Sequence, residues 1–388
     1  MVPDGWKIST LGEVCENNLQ TGPFGSQLHA NEYEVYGVPV LMPKDLNGFR
    51  ANTSSAAKIS VERARDLSKH RLSKGDILFS RRGDVTRFAL IDESSEGSLC
   101  GTGCLKATPG EQHSPDFLGY FLQMHWVRKW LEQNAVGQTM PNMNTSILSE
   151  LPLMVASSRQ EEDTIAQILS TWDQAITATE RLLENSQQRK KGLMQKLLTG
   201  KKRLPGFEEE WQKIELGEAL KYQQPTPFLV RSTEYSNDFP TPVLTAGKSF
   251  LLGYSDEEFG IYRNVLPTII FDDFTTASRF VDFPFKVKSS AIKILTSNSG
   301  FSTRYLLEAM QMIRFKVGGH QRHWISIFAN LVIPCPSFEE QKAISKVLAT
   351  ADHEISALQN FLKSLKKEKK ALMQQLLTGK RRVQVEAA

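Results

Sequence analysis

The side chains best suited to reading another molecule lie in turns. Ser80-Arg81-Arg82-Gly83 directly follows Gly75-Asp76-Ile77-Leu78-Phe79, a short apolar run with the character of a buried strand. Thr21-Gly22-Pro23-Phe24-Gly25-Ser26-Gln27 is a glycine-rich polar loop. Met140-Pro141-Asn142-Met143-Asn144 and His320-Gln321-Arg322-His323-Trp324 stand at matching places in the two halves of the chain. Arginine pairs with guanine O6 and N7 and Asn or Gln with adenine N6 and N7, so such loops can read base edges. The candidate DNA-binding residues are Gln27, Lys44, Arg81, Arg82, Asn142, Asn144, Lys248, Arg279, His320, Arg322 and His323. The competing reading of any one of them is an ordinary solvated loop.

Catalytic chemistry is harder to find. An adenine methyltransferase needs an Asn/Asp-Pro-Pro-aromatic motif and a glycine-rich cofactor loop, and neither occurs. Ala246-Gly247-Lys248-Ser249 resembles the end of a P-loop, but Pro242 occupies the place of its first glycine. Cys100 and Cys104 lack a second Cys or His pair at zinc spacing and read as packed core thiols. Asp272-Asp273 lacks the Glu-x-Lys of a nuclease centre, and the His320–His323 stretch shows no third metal ligand. The chain is therefore expected to be a binding protein and not an enzyme, with no metal and no cofactor of its own.

The elements that position these loops form a repeat. Leu193-Met194-Gln195-Lys196-Leu197-Leu198-Thr199-Gly200 returns 179 residues later as Leu372-Met373-Gln374-Gln375-Leu376-Leu377-Thr378-Gly379. The match runs without a gap from Glu161/Glu340 to Arg203/Arg382, and 19 of its 43 pairs are identical. Weaker anchors extend it upstream: Trp6 with Trp211, Ile77 with Ile269, Arg87-Phe88 with Arg279-Phe280. Each constant segment carries a stripe at alternating spacings of four and three, apolar at seven of ten positions in the first copy and nine of ten in the second. The first reads Ile165, Leu169, Trp172, Ile176, Thr179, Leu183, Ser186, Lys190, Leu193, Leu197. The second reads Ile344, Leu348, Ala351, Ile355, Leu358, Leu362, Leu365, Lys369, Leu372, Leu376. Sustained over four heptads without proline, this predicts long helices that need a helical partner, each stopped by Thr-Gly. Pairing with each other in antiparallel fashion is the simplest solution, and it would leave two heads on a rod about a pseudo-two-fold axis. Another chain as the helical partner is the alternative.

The expected organisation is a first head over 1–156, a conserved helix over 157–200, a second head over 201–335 that includes a linker at 201–211, a second conserved helix over 336–379, and a basic tail over 380–388. The heads read as α+β with mixed or mostly antiparallel sheet. With 388 residues, 40% apolar content and four scattered cysteines, the chain fits a globular protein of a reducing compartment. No apolar leader and no 18-residue apolar run occur, so a cytoplasmic location without membrane contact is expected. The net charge of +4 hides an uneven distribution: residues 189–203 hold seven cations and no acid, and residues 363–382 hold eight cations and one acid. Cations at helix C-termini offset the macrodipole, and the surplus suits phosphates or an acidic partner.

The chain resembles the specificity subunits of type I restriction-modification enzymes along essentially its whole length. The resemblance rests on the two Leu-Leu-Thr-Gly-Lys-(Lys/Arg)-Arg segments, the Pro-Ser-Phe-Glu-Glu-Gln-Lys-Ala-Ile lead-in from Pro336, the Trp…Leu-Gly-Glu openings, and Gly-Asp-Ile-Leu-Phe-Ser-Arg-Arg-Gly from Gly75. The first lead-in departs from the pattern, with Ser157-Ser158-Arg159-Gln160-Glu161-Glu162. What the resemblance implies is two target recognition domains, each reading one half of a bipartite, asymmetric site on double-stranded DNA, with the helices as spacer ruler. It also implies two methylation subunits carrying S-adenosylmethionine, which methylate adenine N6 after flipping the base, and restriction/translocase subunits using ATP and Mg. A structural scaffold or decoy whose heads bind protein is the rival reading.

Overall fold

The computed structural model describes residues 2–25, 27–47, 49–137, 141–245, 249–313 and 323–384. The chain divides into two compact units, residues 1–179 with 361–388, and residues 180–360. The long helices Arg159–Leu197 and Phe338–Leu376 each contribute one half to each unit. Both helices span 39 residues, and their ends fall at the same positions of the repeat.

The first unit is built on a sheet whose strand order is Leu19–Thr21, Cys104–Ala107, Ile77–Ser80, Phe88–Leu90, Arg50–Ala51, Leu46–Asn47. A smaller sheet joins Ala57–Ile59, Val38–Leu41 and Leu99–Cys100, and its Val40/Leu99 pairing is parallel. The second unit repeats the plan with fewer strands: Leu220–Gln223, Ile292–Ser297, Thr268–Asp272 and Ser278–Val281, beside a smaller sheet of Leu251–Ser255, Thr241–Leu244 and Lys286–Val287. In both, an opening strand pairs antiparallel with the strand that leads into the long helix, Lys7–Thr10 with Pro152–Val155 and Gln212–Glu215 with Val332–Cys335. The result is the mixed α+β architecture that the turn-punctuated apolar runs imply. Cys100 and Cys104 are free and buried in the first unit, and burial pushes the Cys100 thiol up to about 12. Among the described residues, no helix is long and apolar enough to cross a membrane.

The helix ends belong to the cores of the heads. In the first unit Ile165, Leu169, Leu376 and Leu377 pack with Trp6, Phe117 and Phe121. In the second, Leu197, Leu198, Ile344 and Leu348 pack with Tyr305, Trp324 and Phe328. The middle heptad positions Trp172, Ile176, Leu183, Ile355, Leu358 and Leu362 are partly covered, as are Leu193 and Leu372. Most residues between them are exposed. Within the first unit Lys369 Nζ reaches Asp173 at 2.5 Å. Within the second, Lys190 Nζ reaches Asp352 at 2.7 Å and Ser186 Oγ donates to Glu354 at 2.9 Å. In each unit the two helix halves therefore run antiparallel.

In each unit the turn after one long helix is tied to the start of the other through one repeated cage. Gly200 and Gly379 take φ of +70° and +64°, the left-handed conformation that ends a helix without a Cβ penalty. The chain then turns back, so that Arg203 grips Glu340 with Nε and Nη2 at 2.7 Å each, while Trp211 Nε1 donates to the same carboxylate at 3.0 Å. In the other unit Arg382 Nε donates to Glu161 at 2.7 Å and Trp6 Nε1 at 3.3 Å. Burial opposes charge on Glu161, but hydrogen bonds from Arg382, Ser157 and Trp6 outweigh it and hold the carboxyl below its usual range.

Candidate nucleic-acid interface

In the first unit one end of the main sheet gathers most of the candidate loops. The register Cys104↔Ser80, Leu105↔Thr21 and Phe79↔Phe88 places the exits of two strands and the entries of two others side by side. Arg81 N donates to Gly103 O at 2.8 Å, Met143 N to Arg81 O at 2.8 Å, and Gly83 N to Pro141 O at 3.1 Å. Arg82 and Asn142 thus face each other across an antiparallel bridge. The Gln27 loop leaves the same end through Gly22, where a Cβ would lie 2.0 Å from Gly101 O. Only glycine permits that approach of two backbones. Across from it, a Cβ on Gly103 would meet Pro43 Cδ at 3.0 Å, which places the Lys44 turn beside the Arg81 loop.

The exposed side chains here are Gln27, Lys44, Arg82 and Asn144. Two of these have local duties: Gln27 Oε1 accepts Phe24 N–H at 3.0 Å, and Asn144 Oδ1 caps the helix Thr145–Ser149 through Ile147 N–H at 2.7 Å. Among the described residues, Arg81 Nε and Asn142 Oδ1 are buried without a hydrogen-bond partner. A donor and an acceptor left over on bridged loops are groups that a ligand could satisfy. Arg87 also joins the cluster, exposed, with Nη1 donating to Pro43 O at 3.4 Å and Nε against Asp84 at 3.2 Å. Sequence reasoning missed Arg87, although its repeat counterpart Arg279 was singled out.

The second unit is built differently at the matching end. Asp273 stands where the first unit has Arg81, and it is fully committed. Its Oδ1 accepts the backbone N–H groups of His323 at 3.0 Å and Trp324 at 2.8 Å. Its carbonyl accepts from His323 Nδ1 at 2.8 Å, and Lys293 Nζ lies 3.5 Å from Oδ2. Asp272 accepts from Phe274 N and Thr275 N and closes the turn. His323, expected to read bases, is 1% exposed, and its imidazole holds a turn from inside the core. Arg279 is exposed, its guanidinium 5.8 Å from the centre of the Phe250 ring. Lys248, His320 and Arg322 lie outside the described residues.

The two units therefore share their cages and sheets and differ in their loops. A family model, the type I restriction modification DNA specificity domain, matches residues 3–185 and again 208–367, once per repeat. The chain belongs to that family. Within it, the chain is 46% identical over 147 residues to the specificity subunit of the type I restriction enzymes EcoR124I/EcoR124II of Escherichia coli, a match spanning 36% of each chain. It is 26% identical over 425 residues to a putative MjaX specificity subunit of Methanocaldococcus jannaschii, covering 98% of this chain and 95% of that one. Among solved structures, the S subunit of a type I restriction-modification system from M. genitalium has the same fold, with a TM-score of 0.67 at 18% identity over 96% of both chains. The HsdS subunit from Thermoanaerobacter tengcongensis gives 0.52 at 16% identity over 98% of both.

Proposed function

We propose that the chain is the specificity subunit of a type I restriction-modification complex, in which each head reads one half of a bipartite, asymmetric site on double-stranded DNA. The observation that carries this is the contrast just described. The helical frame repeats without a gap and its Glu-Arg-Trp cages repeat residue for residue, whereas the loops at the sheet end differ in charge and construction. Two readers of two different sequences need that combination; two copies of one protein-binding head do not. No observation favours the scaffold or decoy reading. The helices set the spacer and dock two methylation subunits, which carry S-adenosylmethionine and methylate adenine N6. Restriction subunits using ATP and Mg join that assembly, and this chain contributes recognition without chemistry. A cytoplasmic location accords with that role.

Coexpression with its methylation subunit in a methylation-free host, followed by genome-wide mapping of N6-methyladenine, tests the reading. One bipartite motif with a fixed gap is expected. A copurifying complex that leaves the genome unmethylated would remove the proposal. A second test addresses the ruler. Seven residues inserted into the first long helix alone add about 10 Å of rise, roughly three base-pair steps. The preferred gap is expected to change or assembly to fail, and an active complex with its gap unchanged would exclude the helices as ruler.

A further inference from the structure

Each unit holds a second polar cluster, away from both the cage and the candidate interface, where a helix of the head meets the long helices. In the first unit the short helix Pro115–Phe121 presents Tyr120, whose hydroxyl donates to Asp173 Oδ2 at 2.8 Å while Lys369 Nζ holds Oδ1 of the same carboxylate at 2.5 Å. Lys369 also sits 5.2 Å from the Tyr120 ring centre, and that ring stacks on Phe49, in the turn before the strand Arg50–Ala51, at 4.7 Å. In the second unit the helix Thr303–Met312 presents Glu308 and Arg304. Lys190 Nζ lies 2.7 Å from Asp352 and 3.4 Å from Glu308, and Arg304 pairs with both Asp352 and Glu308. Arg304 in turn lies 5.2 Å from the ring of Phe280 in the sheet. Asp173 and Lys190 become Asp352 and Lys369 under the 179-residue repeat. The two clusters are thus one joint made twice: an aspartate and a lysine from the two helices, a polar side chain from the head, and an aromatic ring of the head behind it, though Phe49 and Phe280 are not repeat counterparts.

Joints of this composition fix direction. Packed apolar side chains slide over one another at small cost, whereas a charged hydrogen bond weakens as its distance and angle leave their preferred range. Each joint is balanced in charge; its lysine is largely covered, whereas Asp173 keeps 42% of its side-chain exposure, and a tilt of the head would separate the paired charges. We propose that these joints are positioning devices that fix the tilt of each head on its helix pair, and thereby how strictly the gap between the two half-sites is measured. This rests on the proposed reading of half-sites by the heads. One base pair displaces a half-site by about 3.4 Å along the DNA and about 34° around it. A firmly held head refuses that displacement, and a loosened one follows part of it.

The test maps N6-methyladenine in a methylation-free host expressing the intact complex with Lys369→Met, Lys369→Arg, Tyr120→Phe or Lys190→Met. The half-site sequences are expected to stay the same. Methylation at gaps one base pair longer or shorter is expected to rise about ten-fold in Lys369→Met and Lys190→Met, comparable to relieving one mismatch. Tyr120→Phe shifts it in the same direction, and Lys369→Arg restores the wild-type gap. Where a methionine variant fails to assemble, Tyr120→Phe carries the test, because it removes one hydroxyl and keeps the ring stack. A single unchanged gap in the variants that assemble overturns the proposal and leaves the joints as supports alone. A wild-type complex without any bipartite motif would instead count against half-site reading itself, a distinct result.

Discussion

Glu340→Ala lowers the stability of the second unit by about 2–4 kcal/mol. The carboxylate is completely buried, and the turn after the first long helix and the opening of the head both converge on it. Arg203 binds it with two parallel N–H donors from the turn after the first long helix, and Trp211 binds it from the opening of the head. Charge-assisted bidentate pairs of this kind are among the strongest hydrogen bonds a protein makes. Alanine leaves a guanidinium and an indole N–H facing a gap. The Arg203 side chain keeps 28% of its exposure, so water partly rescues it, and the loss stays below that of a sealed pair. Glu340→Gln keeps the shape and one acceptor and is expected to lose about half as much. Hydrogen exchange separates the units: protection falls in the strands Gln212–Glu215 and Val332–Cys335, while Lys7–Thr10 and Pro152–Val155 keep theirs. Unchanged protection in the second unit would mean that the cage is not what holds it closed.

Arg82→Ala relaxes recognition of one half-site and leaves the other intact. An arginine bidentate to guanine is worth about 1–3 kcal/mol of discrimination, roughly ten- to a hundred-fold in preference. Arg82 is exposed on a loop whose backbone is bonded at both sides, through Gly83 N to Pro141 O and Ser80 Oγ to Arg82 O at 3.0 Å. The loop therefore keeps its shape when the side chain is removed, and the change reads recognition and not folding. Competition binding with DNA altered in one half-site at a time is the measurement. Equal losses at both halves would break the assignment of one head to one half. A uniform loss of affinity with a shallower salt dependence would make Arg82 a phosphate contact.

The contrast between these two residues shows where sequence reading succeeds. The long helices, their register and their ends were legible because each is a local property. A 4-3 spacing defines a helix face, and a Thr-Gly stop followed by cations defines its end wherever the chain goes next. The 179-residue repeat then identified the counterparts Glu161/Glu340 and Arg203/Arg382 as pairs of positions, though not as one cage. The heads were legible only as a class, since strands of two to six residues carry little periodic signal.

By itself, the sequence determined that there are two diverged heads on a duplicated helical frame and that the candidate reading residues sit in turns. Only the tertiary structure decided which of those residues face outward. By type, Arg82 and His323 are both polar loop residues. In the fold Arg82 is exposed on a braced loop, and His323 is sealed against Asp273. Likewise Asp273, a candidate catalytic carboxylate by type, turns out to hold two backbone N–H groups. The physical reason is that burial and hydrogen-bond commitment depend on groups far apart in the chain, Asp273 with His323 or Arg81 with Asn142, whose approach no local pattern encodes.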